Sequence, residues 1–323
     1  MNFKLPTTPK MLQSCAEISL LLGRYEGLMS PVPQPRLRRT HRIKTIQGSL
    51  AIEGNTLSLE QVTAVFDQKR VLGPKKEILE VQNAIETYQK MGQFKPHSIA
   101  SFQAAHRLLM KGLIPDAGKW RKGQVGILKG SKVSHIAPPA PRVPDLMEQL
   151  FSTLNKSKNL HPLLRAAWVH YEVEFIHPFS DGNGRMGRLW QTVHLVSHHP
   201  LFEFLSVESI IRDRQREYYY ALERSDKDGH AGTFVEFSLA TMASALSEFI
   251  NELRPGRVTA SSRVDKAREH FGQLEFSRLD YLRFFKTLST ATASRDLKEG
   301  VESKRLRRSG ERALTRYRFS GRG

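Results

Sequence analysis

Cysteine is almost absent from this chain of 323 residues, since Cys15 is its only one. An intrachain disulfide and a zinc site built from several cysteines are therefore excluded. The chain also has no uninterrupted apolar run long enough to span a bilayer, and its first residues lack the apolar core of a signal peptide. These absences lead us to expect a cytoplasmic protein with no membrane partner.

Acidic residues are scarce relative to basic ones, which gives a formal net charge of +18. The excess is concentrated in residues 261–323, which carry sixteen Lys or Arg against eight Asp or Glu. A cationic surface attracts polyanions such as nucleic acid. A solvated basic surface without such a partner would explain the same composition.

Apolar residues recur at helical spacing through most of the chain, which predicts a mainly α protein. Residues 121–139 are instead rich in Gly, Val and Ile, and a β-hairpin is their simplest interpretation. Near the C-terminus, we expect residues 276–284 to form one helix and residues 305–319 a basic hairpin. The predicted regions are an N-terminal helical region, a core and a C-terminal domain, at residues 1–95, 96–253 and 254–323.

Residues 177–188, with the sequence HPFSDGNGRMGR, combine a candidate base, a carboxylate, two arginines and a glycine-rich turn. Pro178 disfavours an α conformation at His177, so we expect one helix to end there and another to resume near Arg185. The N-terminus of that second helix would offer backbone N–H groups to a phosphate. Arg185 and Arg188 would share a face and grip phosphate oxygens, and Asp181 suits Mg²⁺. The imidazole of His177 suits general base catalysis.

Two other interpretations of glycines in this chain are weaker. Gly182, Gly184 and Gly187 match the spacing of a dinucleotide-binding loop, but that loop must follow a strand, and the preceding segment has helical periodicity. A Walker phosphate loop is also excluded, because Lys119 is followed by Trp120 rather than Ser or Thr. The histidines His194, His198 and His199 also suggest a zinc site, since ligands four residues apart can share a helix face. No nearby carboxylate or third ligand clearly completes such a site, which favours ordinary histidines.

At this point the chain resembles the Fic family, whose active-site motif H-P-F-x-[D/E]-G-N-G-R-x-x-R residues 177–188 match without departure. The resemblance extends to His170 and Ile176 in the preceding helix, and to Gly118 and Arg121 before the predicted flap. It implies a Fic-type helical bundle with a β-hairpin flap. It also implies a nucleotidyltransferase that moves AMP from ATP to a Tyr, Thr or Ser hydroxyl of a target protein.

The resemblance also implies a set of roles for individual residues. His177 would deprotonate the target hydroxyl, Asp181 would hold Mg²⁺ between phosphates, and Asn183 with the loop amides would form an anion hole. Gly184 favours nucleotidyl transfer, since the phosphorylating Doc branch carries Lys there. The implied nucleotide-binding residues are Asp181, Gly182, Asn183, Gly184, Arg185, Met186, Gly187, Arg188, Val133, Ser134, His135, Ile136, Tyr218 and Tyr219.

Residues 49–54, with the sequence SLAIEG, resemble the inhibitory motif [S/T]-x-x-x-E-[G/N] of the same family. The resemblance implies that Ser49 and Glu53 are regulatory, with Glu53 pairing with Arg188 and so displacing the γ-phosphate. A solvated Glu that merely ends a helix at Gly54 is the alternative. The resemblance leaves four properties open. They are removal of AMP by the same enzyme, self-modification, homodimer formation, and transfer of another group such as UMP or phosphocholine.

Residues 254–323 resemble a winged helix-turn-helix domain, as several Fic proteins have. Arg295 would lie on its second helix, and Lys304, Arg305, Arg307 and Arg308 would lie on its basic wing. DNA contact and protein docking are both compatible with this pattern. A DNA-binding regulator with a nucleotide-sensing Fic core is therefore the alternative to an enzyme, although a sensor would not need the base His177.

Overall fold

The structure, a computed structural model, describes residues 5–27, 35–124, 126–129, 132–157, 159–253, 260–285, 288–311 and 314–320. The side chains of residues 126–129, 132–136 and 262 fall outside this description, as does the predicted turn at residues 130 and 131. The chain forms two compact units, Met1–Ile250 and Asn251–Gly323. The separation of residues 1–95 from the core stays a prediction.

The first unit is mainly helical, which confirms the predicted class. Its helices α1 to α6 are Pro9–Glu26, Pro35–Ile52, Leu59–Phe66, Lys75–Gln89, Ile99–Leu109 and Val143–Lys156. Its helices α7 to α11 are Pro162–Ile176, Asn183–His198, Val207–Asp213, Gln215–Asp228 and Gly232–Leu253. Among the described residues, no helix has both the length and the apolar character needed to cross a bilayer.

Serine side chains cap the starts of α3 and α5. Ser58 caps α3 in a capping box with Gln61, whose side chain accepts a hydrogen bond from the Ser58 N–H. Ser98 caps α5 by accepting from the Ser101 N–H, without the reciprocal side-chain bond of a capping box. These caps satisfy N–H groups that have no partner within the helix.

A single β-hairpin interrupts the helices of the described first unit. It pairs β1 (Gly126–Lys129) with β2 (Lys132–Ile136) in antiparallel register, with Gly126 opposite Ile136. The register shifts after Ile127, so that Ser134 is left without a partner in β1. Such an irregularity bends a strand and increases its local twist.

The core of the first unit is centred on α7 and α8. Phe179, in the loop between these helices, is fully buried beside the rings of Phe102 and Trp120, with centroids 5.5 and 5.1 Å away. Gly187 permits α7 and α8 to approach closely, because a Cβ there would lie 2.6 Å from the His170 ring. Met186 is fully buried as well, so this part of residues 177–188 anchors the loop to the core.

The second unit contains the helices α12 (Ala260–Phe271), α13 (Arg278–Phe284) and α14 (Thr290–Glu302). Its hairpin pairs β3 (Leu306–Ser309) with β4 (Arg316–Phe319). Residues 276–284 do not form one helix, because Phe276 pairs with Tyr317 as an isolated antiparallel bridge. Ser277 then caps α13. The second unit has a small apolar core of its own, which consists of Val264, Ala267, Phe276, Tyr281, Ala293, Leu297, Leu306 and Phe319.

Candidate active site

His177 sits where α7 ends, as the sequence predicts. It is the C-cap residue in a left-handed conformation (φ 51°, ψ 61°), a backbone geometry that non-glycine residues seldom adopt. Its Nδ1 lies 3.3 Å from the carbonyl oxygen of Glu174, which can only accept a hydrogen bond. This contact favours a proton on Nδ1, and in that tautomer Nε2 is the nitrogen with basic character.

Arg121 holds the backbone around His177 in place. Its Nε donates to the His177 carbonyl at 2.7 Å, and its Nη2 donates to the Pro138 carbonyl at 2.5 Å. The Arg121 N–H also donates to the Pro178 carbonyl at 3.0 Å. Since the last carbonyls of a helix have no helical partner, the buried guanidinium satisfies one end of α7 and fixes the unusual turn. The sequence pointed to Arg121 only through its place before the flap.

The loop leads into α8 through Gly182, the N-cap residue, at φ +83°. The Asn183 side chain bridges the loop, accepting from the Phe179 N–H at 2.8 Å and donating to the Phe179 carbonyl at 2.9 Å. The amide side chain of Asn183 is therefore committed to the shape of the loop. The backbone N–H groups of the first turn of α8 supply the anion-binding capacity.

Arg188 is buried, with 1% of its surface exposed, and meets the segment predicted to be inhibitory. Its Nη2 donates to Glu53 Oε1 at 2.7 Å and to the Ser49 carbonyl at 3.0 Å, while its Nε lies 3.2 Å from Ser49 Oγ. Burial disfavours the cation, but the neighbouring carboxylates Glu53 and Glu174 raise the pKa of Arg188 above its usual range. The fold thus joins residues that lie 135 positions apart in the sequence.

The backbone at the end of α2 directs Glu53 to this position. Asn55 N–H donates to the Leu50 carbonyl and Gly54 N–H to the Ala51 carbonyl, both at 3.1 Å, and Gly54 adopts φ +91°. This is the Schellman pattern of a helix end, with Glu53 as the C-cap residue. The two interpretations of Gly54 are therefore compatible, because the residue ends α2 and also presents Glu53 to Arg188.

Gly184 lies directly beneath the Glu53 carboxylate. A Cβ on Gly184 would overlap Glu53 Oε1 and would lie 3.2 Å from both Arg188 Nη1 and Glu174 Oε1. The carboxylate of Glu53 consequently occupies the first turn of α8, where the helix dipole favours negative charge. A side chain at position 184 would be incompatible with this placement.

Arg185 is paired with two carboxylates. Its Nη2 donates to Asp181 Oδ1 at 3.1 Å, and its Nη1 lies 3.7 Å from Glu80 Oε1 on α4. The other oxygen of Glu80 accepts from Asn55 Nδ2 at 2.8 Å, so Glu80 links Arg185 to the turn that follows Glu53. No sequence pattern indicated Glu80, because a glutamate on an amphipathic helix normally faces solvent.

Tyr218 lies in the protein interior and its hydroxyl donates to Glu174 Oε1 at 2.7 Å. Burial alone would disfavour the carboxylate, but His170, His177 and Arg188 nearby lower the pKa of Glu174 to about 2. The ring of Tyr219 lies 5.3 Å from that of Tyr218, and its hydroxyl approaches the Ile52 carbonyl at 3.5 Å. Tyr219 therefore lies next to the end of α2, whereas Tyr218 supports the interior network.

The predicted flap residues Val133, Ser134, His135 and Ile136 all lie in β2. The irregular pairing at Ser134 falls in the middle of this set. Their side chains lie outside the described part of the structure, so their contact with a nucleotide stays a prediction.

Asp181 has the character of a magnesium ligand. Its side chain is half exposed, and Oδ1 takes the described contacts, from the Gly182 N–H at 2.5 Å and from Arg185 Nη2. Mg²⁺ typically combines one or two protein carboxylates with water and substrate phosphates. The described residues contain no group of three His, Cys, Asp or Glu able to hold a metal, at the zinc candidates or elsewhere. A single carboxylate beside a phosphate loop therefore fits Mg²⁺ bound together with a nucleotide.

The basic residues of the second unit differ in how they are used. Arg305 is tied internally, since its guanidinium pairs with Asp265 and donates to Ser261 Oγ at 2.7 Å. Arg307 and Arg318 are opposite each other in the register of the hairpin, where like charges are destabilising, and Arg318 Nε donates to the Gln273 carbonyl at 3.0 Å. Exposed cations on α14 and the hairpin include Arg295, Lys304, Arg307 and Arg308.

Comparison with known proteins relates this geometry to a family. The model of the Fic/DOC family matches residues 96–195. A Fic family protein from Desulfovibrio desulfuricans G20 has a similar structure, with a TM-score of 0.77 and 42% sequence identity, covering 100% of this chain and 99% of that chain. A Fic-1 fragment from C. elegans shares the fold at a TM-score of 0.64 and 22% identity, over 76% of this chain and 73% of its own.

Curated relatives are similar over part of their length. The protein adenylyltransferase Fic of Nematostella vectensis is 32% identical over 219 residues, covering 64% of this chain and 48% of that protein. The protein of the same name from Drosophila persimilis is 29% identical over 213 residues, covering 62% of this chain and 39% of that protein. This chain thus spans less than half the length of these curated relatives.

Proposed function

This chain belongs to the Fic/DOC family, and from that premise we propose that it transfers AMP from ATP to a hydroxyl side chain of a target protein. One observation carries the proposal: His177, whose Nδ1 lies within hydrogen-bonding distance of the Glu174 carbonyl, stands beside a helix N-terminus that contains two buried arginines. The target hydroxyl oxygen would bond to the α-phosphorus and its proton would pass to His177. Pyrophosphate would leave as the bond to the β-phosphate breaks.

Charge neutralisation would supply much of the catalysis, as is usual in phosphoryl-type transfers. Arg185 and Arg188 would bind the β- and γ-phosphates, and the N–H groups at the start of α8 would hold the remaining oxygens. Mg²⁺, when bound with ATP, would neutralise phosphate charge beside Asp181. The residues of β2 would place the target beside His177.

We also propose that Glu53 restrains this activity. Its carboxylate lies on Arg188 at 2.7 Å and over Gly184, the position where an anionic phosphate group would be bound. ATP and Glu53 would therefore compete for one buried cation. Release need not displace α2, since Glu53 is the C-cap residue that follows Ile52 and about a third of its side chain is exposed. If Glu53 restrains transfer in this way, the same carboxylate could also position a water molecule that removes AMP from the modified target.

The basic test is labelled AMP incorporation into a cell lysate and into the chain itself. His177→Ala is expected to abolish the labelling that a Glu53→Gly background produces, because no other described group lies in the position of the base. His198→Ala, at the exposed far end of α8, is the matched control and should keep it. Undiminished labelling in His177→Ala would refute the proposed role of the base. Running UTP and CDP-choline in parallel would reveal transfer of UMP or phosphocholine instead.

The proposal also covers the type of group transfer and the cellular compartment. Glycine at position 184 favours nucleotidyl transfer over phosphorylation, and a reducing cytoplasm is the compartment we propose for a chain with one buried cysteine. The proposal also includes the formation of a homodimer and modification of the chain by its own activity. The same labelling experiment, followed by mass spectrometry, would identify the modified hydroxyl, whether on a partner or on the chain itself.

A second candidate function is nucleic-acid contact by the C-terminal unit, which we propose to be a winged helix-turn-helix domain. The observation that favours it is the cross-strand pair of Arg307 and Arg318, whose repulsion a bound phosphate would relieve. Arg295 on α14 would approach bases or phosphates beside this hairpin. Affinity for duplex DNA should fall steeply with salt, and Arg307→Gln should reduce the salt dependence by about one ion. Absence of binding at low salt would eliminate this function.

A further inference from the structure

His106 on α5 touches the candidate active-site loop, although nothing in its sequence context indicated a role. Its Nδ1 lies 2.8 Å from the Gly118 N–H, and its Nε2 lies 3.0 Å from the carbonyl oxygen of Asp181. An N–H group can only donate and a carbonyl oxygen can only accept. The two contacts together therefore define a neutral ring with its proton on Nε2, donating to Asp181.

The ring has little freedom to leave this arrangement. His106 is fully buried and stacks on the Phe179 ring, with centroids 3.5 Å apart and an angle of 2° between the planes. Phe179 itself is fixed by the two hydrogen bonds of Asn183. Two hydrogen bonds and one stacked face thus join α5, the turn at Gly118 and the loop before α8.

The consequence follows from the planarity of the peptide bond. In a trans peptide, the carbonyl of one residue and the N–H of the next point in opposite directions. Because the Asp181 carbonyl is turned to His106, the Gly182 N–H must point away from α5. It donates there to Asp181 Oδ1 at 2.5 Å, and the same oxygen accepts from Arg185.

We propose that His106 is a positioning residue: by holding the Asp181 carbonyl, it orients the Asp181–Gly182 peptide and so places the Asp181 carboxylate and the loop amide for a nucleotide. This inference rests on the proposed function for its ligand, ATP with Mg²⁺. His106 is not proposed as a catalytic residue, because its ring bonds to backbone groups of Asp181 and Gly118 and not to the substrate. The effect should appear in nucleotide affinity and loop order rather than in proton transfer.

Two variants separate the two hydrogen bonds of the ring. Glutamine reaches as far as Nε2 and can donate to the Asp181 carbonyl, whereas asparagine reaches only as far as Nδ1 and can accept from the Gly118 N–H. If His106 acts through Asp181, His106→Gln should preserve the site better than His106→Asn. If the residue serves only to stabilise the fold, losses in affinity should follow losses in melting temperature for both variants.

Affinity for ATP with Mg²⁺ would be measured by calorimetry in a Glu53→Gly, His177→Ala background, where no turnover occurs. His106→Asn is expected to raise the Kd by up to about tenfold, the upper end for the loss of one neutral hydrogen bond, and His106→Gln by less than about threefold. In the Glu53→Gly background alone, the same change should appear in KM for ATP with kcat nearly constant. Equal losses in the two variants, or none in either, would overturn the proposal.

Loop order gives a readout that does not depend on ATP being the substrate. Hydrogen exchange of the amides of residues 179–184, without nucleotide, should be faster in His106→Asn than in His106→Gln at matched stability. Equal exchange would overturn the positioning role even if AMP transfer were confirmed. Conversely, the expected exchange difference in a parent that neither binds ATP nor transfers AMP would sustain the positioning role and reject the proposed function.

Discussion

Replacing Glu53 with glycine removes the carboxylate that pairs with Arg188 while leaving the helix end intact, since Gly54 continues to provide its left-handed turn. We expect Glu53→Gly to raise AMP transfer, because the buried guanidinium becomes available to the γ-phosphate. Glu53→Gln separates charge from occupancy. Its amide can still accept from Arg188 but carries no charge, so its activity should lie between those of wild type and Glu53→Gly.

The size of the effect can be worked from the geometry. A hydrogen bond between charged groups contributes about 1.5–3 kcal/mol. Because 34% of the Glu53 side chain is exposed, solvent screening places this pair in the lower half of that range. About 1.5–2 kcal/mol corresponds to roughly 10–30-fold in kcat/KM for ATP.

The assay is the initial rate of labelled AMP incorporation over a range of ATP concentrations, with Glu60→Gln as a matched control. Glu60 is a glutamate with an exposed side chain on the neighbouring helix α3, and its replacement should leave the rate unchanged. The gain should appear mainly in KM for ATP, because Glu53 and phosphate compete for the same cation. Identical rates for wild type and Glu53→Gly would show that the pair seen in the structure does not restrain the enzyme.

Two further predictions concern stability. Burial raises the pKa of Glu208 to about 7, so the folded state holds a proton that the unfolded state loses near pH 4.5, and stability falls as the pH rises between these values. Glu208→Gln should therefore increase the free energy of unfolding at pH 8 by up to about 3 kcal/mol and change it little at pH 4.5. Denaturant unfolding at both pH values checks this, and an equal gain at both would contradict it. Gly187→Ala should lower the free energy of unfolding by about 1–3 kcal/mol, since the new Cβ would meet His170. The control Gly23→Ala, in open space on α1, should raise it by about 0.5–1 kcal/mol. Thermal melts that show no difference between the two variants would be evidence against the close packing of α7 and α8.

Local features of the fold were predictable because their causes are local. Apolar periodicity and the position of Pro178 act within a few residues, and the corresponding end of α7 is observed at His177. The helix expected at residues 276–284 was wrong at its start. Pairing of Phe276 with the distant Tyr317 prevailed there over local helical periodicity.

Within the site, the sequence determined the chemistry available but not how each group is used. Asn183 and Tyr218 both carry polar groups suited to a nucleotide, yet one bridges the loop and the other bonds to Glu174. Buried polar groups need partners, and which partner is nearest depends on packing. Periodicity alone could therefore not assign these two side chains.

By itself, the sequence determined that residues 177–188 form a helix end, a glycine turn and a helix start that carries a base and two arginines. Spacing fixes that arrangement, because backbone conformation in a short loop follows from its own glycines and proline. Only the tertiary structure decided that Glu53 meets Arg188, that Glu80 meets Arg185, and that His106 holds the loop from behind. These contacts join residues far apart in the chain, and they exist because burial of the helices leaves each buried charge and donor only the partners that packing brings to it.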